Sequence, residues 1–300
     1  MIQPRLYYCD HYRIPLPPGH KFPTAKYGLL REALGRDGAF AFEPAPFADA
    51  GTIGLIHSPE YVSRFLAGTL DDAAIRRIGF PWSEGLVRRT LASVGGTIAA
   101  AREALHCGWG ANLAGGTHHA FREQGAGFCV FNDIAVAIGA LRREGLIRTA
   151  AVVDLDVHQG DGTAKIFEED PTVLTVSMHG HNNYPFRKQT SRIDVALPNG
   201  TNDALFLHCL DRVLPDVLAF EPDIVFYQAG VDSLAQDRLG TLNLTHGGLK
   251  RRDARVLKAC AARRLPCAIT LGGGYAHPVE ASVEAHANTF RIAAQLFHSK

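Results

Sequence analysis

An apolar run that ends in acids and a histidine constrains the fold of this chain most. Residues 150–153 are all apolar, and Asp154, Asp156 and His158 follow at alternate positions. Such a run predicts a buried strand, in which alternate side chains share a face and these three point the same way. A carboxylate and an imidazole two residues apart can both reach one divalent metal. An isolated Asp-x-His pair more often caps a turn, so the metal-site interpretation depends on other segments.

A histidine pair follows a second short apolar stretch. The segment that starts at Leu113 runs through two glycines into His118 and His119. Adjacent histidines after such a bend suit proton transfer at a metal-bound water when a carboxylate orients the far nitrogen of each ring. Asp154 and Asp161 are available as these partners.

Two more apolar runs lead to side chains that suit the same chemistry. Ile224–Gln228 is followed by Asp232, which would give the metal a third protein ligand and leave one position open, as in catalytic sites. Cys267–Leu271 is followed by three glycines and Tyr275, whose phenol can donate a hydrogen bond to a developing oxyanion. These segments together predict a catalytic metal site at the carboxyl ends of strands.

Strand-like runs alternate with amphipathic helical segments along the whole chain. This order is typical of a parallel sheet covered on both faces, so we predict a single-domain, three-layer α/β/α fold over residues 1–300 with a mostly parallel central sheet. Ser58 and Asn132 are predicted helix N-caps, the second opening a helix over Ile134–Glu144, and His57 is predicted to be structural. The predicted strands are Arg5–Cys9, Thr52–Ile56, Trp109–Leu113, Ala150–Asp154, Val173–Ser177, Ile224–Gln228 and Cys267–Leu271.

Composition narrows the class of protein. Apolar residues make up 46% of the 300 residues, which is enough for a large core. The net charge is +1 and the longest basic run is Lys250–Arg252, so we expect no nucleic-acid partner. The six cysteines contain no Cys-x-x-Cys pair, and the sequence shows no signal peptide and no apolar stretch of about 18 residues. We therefore expect a soluble, cytoplasmic protein without a membrane partner.

Five motifs in order resemble the histone deacetylase family of metal-dependent amidohydrolases, within the arginase/deacetylase superfamily. Each motif alone is weak, but the ordered set is specific and spans about half the chain. Gln159 and the run Asp237–Gly240 are most similar to class IV and its bacterial relatives. Asp161 departs from the vertebrate class IV enzyme, which has asparagine there. The motifs are Gly115–His119, Gly127–Asp133, Asp154–Gly162, Ala229–Ser233 and Gly272–Tyr275.

The resemblance implies the same fold and a zinc-dependent hydrolysis of amides. Asp156, His158 and Asp232 would be the zinc ligands, and iron(II) could take the place of zinc. His119 would be the general base that takes a proton from water and later protonates the leaving amine. Asp161 would orient His119.

Further residues complete the implied catalytic set. His118, paired with Asp154, would help to hold charge at the metal-bound water, and Tyr275 would polarise the scissile carbonyl together with the zinc. Cys129 is the only cysteine within a motif. No separate His/Asp relay is assigned to it, so we interpret it as a packing residue rather than a nucleophile.

The resemblance also implies where a substrate would bind. Gly127 and Phe128 resemble one wall of a narrow acyl-lysine tunnel, Tyr184 would lie on the other wall, and Gly273 belongs to the glycine run at its base. Acetylpolyamine deacetylases carry an acidic gatekeeper at the position of Leu239, and leucine offers a polyamine no such charge. We therefore favour N-acyl-lysine in a protein or peptide over an acetylpolyamine. The sequence leaves the acyl chain length and the oligomeric state open.

Family members also bind structural monovalent cations, partly through backbone carbonyls. Backbone ligands leave almost no trace in a sequence, so this expectation depends on matched positions alone. The positions that imply structural K⁺ or Na⁺ are Phe167, Asp170, Val173, Ser177 and Met178.

Two alternatives of other kinds fit the sequence less well. A ureohydrolase with two manganese ions would need carboxylates two residues after His158 and two residues after Asp232. Gly160 and Leu234 occupy those positions, and neither side chain can bind a metal. A non-catalytic protein that only binds acyl-lysine is disfavoured, because every catalytic position is filled.

Overall fold

One parallel β-sheet runs through the computed structural model, which describes residues 5–297. Within these residues the sheet has eight strands in the order β2-β1-β3-β8-β7-β4-β5-β6, and every neighbouring pair is parallel. The strands are β1 Arg5–Tyr8, β2 Ala41–Pro44, β3 Trp109–Asn112, β4 Ala150–Asp154, β5 Val173–Gly180, β6 Ile193–Leu197, β7 Ile224–Gln228 and β8 Cys267–Thr270.

Both faces of this sheet are buried, as the apolar runs predict. Val153 of β4 and Tyr227 of β7 pack into one hydrophobic cluster, whereas their neighbours Val152 and Phe226 pack into the other. Because strand side chains alternate between faces, continuous apolar strands supply a core on each side of the sheet. The prediction of a three-layer α/β/α fold is confirmed.

The helices form the two outer layers. One layer contains α1, α8, α9 and α10, and the other contains α2, α3, α5 and α6. No helix among the described residues combines the length and apolarity needed to cross a membrane. The helices are α1 Ala25–Gly35, α2 Ala50–Ile53, α3 Pro59–Ala67, α4 Asp72–Ile78, α5 Glu84–Cys107, α6 Asp133–Arg143, α7 Asp161–Ile166, α8 Asp203–Ala219, α9 His246–Arg263 and α10 Val279–Phe297.

The predicted strand over Thr52–Ile56 is wrong. This segment contains the end of α2 and a following turn. Asp49 caps the helix, because its carboxylate accepts hydrogen bonds from the Thr52 backbone N–H and from the Thr52 hydroxyl, both at 2.8 Å. A short apolar run is ambiguous between strand and helix, and here the local capping bonds favour the helix.

Strands β2 and β6 are missing from the sequence prediction. They are the two edges of the sheet, and their side chains are largely half-buried or exposed. An edge strand needs no continuous apolar run, so the criterion that finds the central strands does not find these. The other predicted strands agree with the structure to within one residue at each end, except β5, which continues three residues further, to Gly180.

The predicted helix starts are confirmed. Ser58 accepts a hydrogen bond from the Tyr61 backbone N–H at 3.3 Å, and Asn132 accepts one from the Ala135 backbone N–H at 3.0 Å. The helix expected over Ile134–Glu144 is shifted by one residue, to α6. These caps fix where the connections end and the outer layers begin.

His57 should make stability depend on pH. Its Nε2 accepts a hydrogen bond from the Asn132 backbone N–H at 2.9 Å, and burial lowers its pKa from 6.5 to about 4. Between these values the unfolded chain binds a proton that the folded chain excludes. The contribution of His57 to the free energy of unfolding therefore falls by up to about 3 kcal/mol as the pH drops from 6.5 to 4.

Urea unfolding of the wild type and of His57→Gln across this pH range measures the effect. The glutamine amide can still accept the bond but does not titrate, so the variant should lose less stability on acidification. Parallel pH profiles for the two proteins would contradict this role of His57.

Candidate active site

The central four strands bring the predicted catalytic and metal-binding residues to one edge of the sheet. The loop after β3 carries His118, the loop after β4 carries Asp156, the loop after β7 carries Asp232, and the loop after β8 carries Tyr275. Parallel strands place all their carboxyl ends at the same edge, so residues that are distant in sequence meet there.

Asp156, His158 and Asp232 form a tight cluster. Candidate ligand atoms of the three side chains all lie within 4.8 Å of one another. The His158 Nδ1 lies 3.0 Å from both Asp156 Oδ1 and Asp232 Oδ2. Both carboxylates are buried, and the imidazole retains 12% exposure towards a cavity. These three described residues have the composition and the spacing of a metal-binding site.

The local geometry differs in one respect from the expected extended strand. β4 ends at Asp154, so Asp156 and His158 lie on the loop that follows it. Alternation persists nevertheless, because Leu155 and Val157 are buried in the core while the two polar side chains face the site.

Backbone donors hold the two carboxylates in place. The Val157 N–H donates to Asp232 Oδ1 at 2.8 Å, and the Gly273 N–H donates to Asp156 Oδ2 at 2.7 Å. A Cβ atom at position 273 would lie 1.8 Å from Asp232 Oδ2, so this close approach requires glycine. The glycine run before Tyr275 therefore serves the carboxylates directly.

The electrostatics of this cluster favour a bound cation. Burial and the neighbouring Asp156 carboxylate raise the pKa of Asp232 to about 7. Burial disfavours charge on His158, but Asp232 and Asp156 outweigh it and raise the His158 pKa to about 10. The two buried carboxylates therefore keep a proton in the cluster, because the site needs positive charge to balance theirs. A divalent ion can supply that charge in place of the proton. The residues fit a metal ion.

Two His–Asp pairs stand beside the cluster. His118 Nδ1 lies 2.6 Å from Asp154 Oδ2, and His119 Nδ1 lies 2.6 Å from Asp161 Oδ1. The two imidazole rings are 4.1 Å apart, and both line the same cavity as His158. Each carboxylate occupies Nδ1, which leaves Nε2 for chemistry in the cavity.

The two histidines differ in charge. Burial opposes charge on His118, but Asp154 outweighs it and raises the His118 pKa to about 9. Burial and the charge on His118 lower the His119 pKa to about 4, with Asp161 only partly compensating. At neutral pH one ring is therefore protonated, and the other is free to accept a proton.

Tyr275 is held by Asp237, a residue that the sequence prediction did not assign to the site. Asp237 accepts hydrogen bonds from the backbone N–H groups of Tyr275 at 2.6 Å, Leu239 at 2.8 Å and Gly240 at 3.0 Å. Burial raises the pKa of the Tyr275 phenol well above its ordinary value, so the hydroxyl remains a donor. The sequence feature that could have identified Asp237 is its place in the run Asp237–Gly240, from which only Leu239 was assigned to the substrate rim.

Lys26 is a second residue that the sequence analysis missed. It is fully buried on α1, and its Nζ donates to the Gly272 carbonyl at 3.4 Å and lies 5.8 Å from the centre of the Tyr275 ring. Burial lowers its pKa to about 8. The sequence feature that could have identified Lys26 is its helical spacing, because it shares the buried face of α1 with Leu30 and Ala33.

A cavity of about 590 Å³ connects the metal-binding cluster, the two histidines and Tyr275 to the surface. The Phe128 ring lies 6.3 Å from the Tyr275 ring, and the Tyr184 ring lies 4.8 Å from the His119 ring. A Cβ atom on Gly127 would come within 2.7 Å of the His119 ring, so glycine lets this wall approach the histidine. All five predicted substrate-binding residues line the cavity: Gly127, Phe128, Tyr184, Leu239 and Gly273.

The loop that carries Tyr184 is anchored on both sides. Asn183 Nδ2 donates to the Leu239 carbonyl at 2.8 Å, which joins the two loops of the rim. Lys188 Nζ donates to the carbonyls of Asn183 and Pro185, both at 2.6 Å. The rim is therefore held by specific bonds rather than by packing alone.

The remaining predicted positions lie apart from the cavity or take no part in the proton chemistry. Phe167, Asp170 and Val173 lie near the start of β5, whereas Ser177 and Met178 lie near its other end, so the five candidate cation residues form two groups. A structural K⁺ or Na⁺ at either group stays a prediction.

Cys129 is buried, and burial raises its thiol pKa well above the ordinary value, which agrees with a packing role.

Comparison with known proteins identifies the family. A model of the histone deacetylase domain matches residues 20–290. An uncharacterised protein of Picosynechococcus sp. is 46% identical over 299 residues, which cover 98% of this chain and 99% of that protein. Histone deacetylase 2 of Arabidopsis thaliana is 33% identical over 273 residues, which cover 85% of this chain and 70% of that protein.

A solved structure shows the same fold. The crystal structure of an HDA15 HD domain matches with a TM-score of 0.80 at 22% identity and covers 97% of this chain and 88% of its own. The family match extends over most of the chain, and its named members support a hydrolase of the deacetylase type. The protein belongs to the histone deacetylase family.

Proposed function

We propose that the protein is a metal-dependent amidohydrolase that removes acyl groups from the lysine side chains of proteins or peptides. The observation that carries this proposal is the cluster of Asp156, His158 and Asp232, of which the first two line a cavity together with His119 and Tyr275. The six free cysteines support action in a reducing cytoplasm.

The donor set is suited to zinc, with iron(II) as an alternative. Such an ion would supply two effects: it polarises a carbonyl oxygen, and it lowers the pKa of a bound water to about 7. Asp156, His158 and Asp232 would hold it through two oxygens and one nitrogen. The backbone donors to both carboxylates would fix their orientation.

Proton transfer would be the task of His119. Its neutral Nε2 takes a proton from the attacking water and returns it to the lysine amine as the amide bond breaks. Asp161 keeps the ring oriented through Nδ1. His118, charged by its pairing with Asp154, would place a fixed positive charge beside the developing oxyanion.

Tyr275 would stabilise the oxyanion directly. Its phenol remains protonated and can donate a hydrogen bond to the carbonyl oxygen as negative charge develops there. Asp237 holds the Tyr275 backbone, so the donor is oriented before the substrate arrives. This preorganisation avoids the cost of ordering the donor during the reaction.

The walls of the cavity favour acyl-lysine over acetylpolyamines. Leu239 is apolar. Among the described residues that line the cavity, the only carboxylate is that of Asp156, in the cluster with His158 and Asp232. A polyamine carries extra ammonium groups that would need acids near the mouth. Lysine in a peptide carries its amide at the end of an apolar stem, which suits walls such as Phe128 and Tyr184.

A binding protein without activity is disfavoured, because the cluster, both His–Asp pairs and the tyrosine are all present.

Metal dependence is the first expectation from this proposal. A strong chelator should abolish amide hydrolysis, and one equivalent of zinc should restore it. Asp232→Asn should weaken zinc binding by at least tenfold, because it removes a charged ligand from a buried site. Titration calorimetry measures the affinity, and elemental analysis measures the stoichiometry. Full activity of protein that elemental analysis proves metal-free would refute the proposal.

A second expectation separates chemistry from metal binding. Tyr275→Phe removes a single hydroxyl, so kcat should fall by about two orders of magnitude or more while zinc content is retained. His106→Phe, on α5 and outside the cavity lining, is a control that should leave kcat unchanged. An unchanged kcat in Tyr275→Phe would mean that this phenol does not act on the carbonyl.

The substrate class is tested by a panel. We expect turnover of acetyl-, decanoyl- or myristoyl-lysine peptides to exceed that of acetylated spermidine and putrescine in kcat/KM. Leu239→Glu should shift the ratio of the two efficiencies towards the polyamines, because it adds a negative charge at the rim. A wild-type preference for acetylspermidine would overturn the lysine assignment but leave the hydrolytic mechanism intact.

A further inference from the structure

The mouth of the cavity carries positive charge that the hydrolytic site does not use. Lys21 precedes α1, and Arg76 and Arg77 lie in the last turn of α4; all three are exposed and line the cavity. Among the described lining residues the only carboxylate is that of Asp156, in the metal cluster. The lining of the mouth therefore presents three cations and no opposing acid among the described residues that line it.

None of these three side chains forms an ion pair or a side-chain hydrogen bond within residues 5–297. A backbone hydrogen bond is the main cause that lowers the pKa of the exposed Asp71 carboxylate at the start of α4, and the charge of Arg77 helps to lower it, but Arg77 and Asp71 are too far apart to form an ion pair. Other arginines do pair: Arg102 binds Glu144 at 2.6 Å, and Arg142 binds Asp170 at 2.7 Å. Because the whole chain has a net charge of only +1, the cluster does not reflect a basic composition.

A structural role accounts for only part of this arrangement. Cations in the last turn of a helix are stabilised by the helix dipole, which applies to Arg76 and Arg77. Neither guanidinium, however, bonds to a carbonyl at the end of α4 in the described chain, and Lys21 lies outside any helix. Helix stabilisation therefore leaves the convergence of these cations on the cavity unexplained.

The cations flank one wall of the mouth. The Gly127 N–H donates to the Arg77 carbonyl at 3.1 Å, which places α4 beside the Phe128 wall. The ring of Phe22, next to Lys21 in sequence, lies 5.5 Å from the Phe128 ring. On the opposite wall, the lining residues are uncharged: Asn182, Asn183, Tyr184, Phe186, Leu239 and Thr241.

We propose that the enzyme selects acyl-lysine chains that carry Asp or Glu close to the acylated lysine. This inference rests on the proposed function, since it concerns the residues that flank the same side chain. An extended peptide advances about 3.3 Å per residue, so acids within about two residues of the acylated lysine lie inside one Debye length, about 8 Å, at physiological salt. One exposed pair is worth about two- to fivefold in affinity, so two pairs give about four- to 25-fold, with about tenfold near the middle of that range.

Three peptides that differ only in the flanking residues provide the test. The acyl-lysine is placed between glutamates, glutamines or lysines. For the wild type, kcat/KM should be about tenfold or more higher for the glutamate peptide than for the lysine peptide, and the ratio should shrink as salt is added. In Arg76→Glu/Arg77→Glu the ratio should fall below one, while kcat for the glutamine peptide is retained.

A matched control separates local from global charge. Arg212 on α8 and Lys258 on α9 are exposed, lie outside the cavity lining and have no ion-pair partner in the described chain. Arg212→Glu/Lys258→Glu changes the net charge by the same amount and should leave the peptide preference unchanged. Should the double arginine variant fail to fold in thermal unfolding, Lys21→Glu alone should still reduce the ratio.

Each outcome decides the inference. Equal kcat/KM for the three peptides in the wild type overturns the inference, and so does a control that shifts the ratio as much as the mouth variant. Cleavage of the glutamine peptide without a charge preference leaves the proposed function standing. Failure to cleave any of the three peptides overturns the inference and the lysine-deacylase assignment together.

Discussion

Two carboxylates are buried side by side at the edge of the sheet, and the surrounding structure is arranged to hold their charge. Asp156 and Asp232 come from loops after β4 and β7, which are neighbours in the sheet. Water cannot solvate either group fully, so backbone N–H groups and the His158 ring balance their charge, and a bound cation would add to that balance. The glycine at position 273 follows from the same constraint, since a larger residue would collide with Asp232.

The same crowding of charge gives the two adjacent histidines different properties. His118 and His119 have similar burial and similar carboxylate partners, yet only one of them holds a proton at neutral pH. The charge on the first ring disfavours charge on the second, which lies 4.1 Å away. Placing two imidazoles side by side is thus a way to obtain a neutral base in a buried, acid-rich site.

Most of the site could be predicted from the sequence because its residues occur in short motifs directly after apolar strands. The alternation of Asp154, Asp156 and His158 marks them as a group in the sequence itself, and the parallel sheet then explains why Asp232 joins them. Strand β2 and Asp237 could not be found in this way. An edge strand has no continuous apolar run, and the role of Asp237 depends on contacts with a loop far along the chain. Long-range hydrogen bonds of this kind leave no local pattern in the sequence.

The loop that Asp237 organises has a consequence for how this scaffold can diversify. Its carboxylate binds the backbone of Leu239 and of Tyr275 but leaves the Leu239 side chain free to vary. Replacing that side chain alters what the rim offers to a ligand without disturbing the tyrosine. Inserting or deleting a residue between positions 237 and 240 would displace both at once. New substrate ranges are therefore accessible to this fold through point substitutions at the rim, whereas changes in loop length there would inactivate the enzyme.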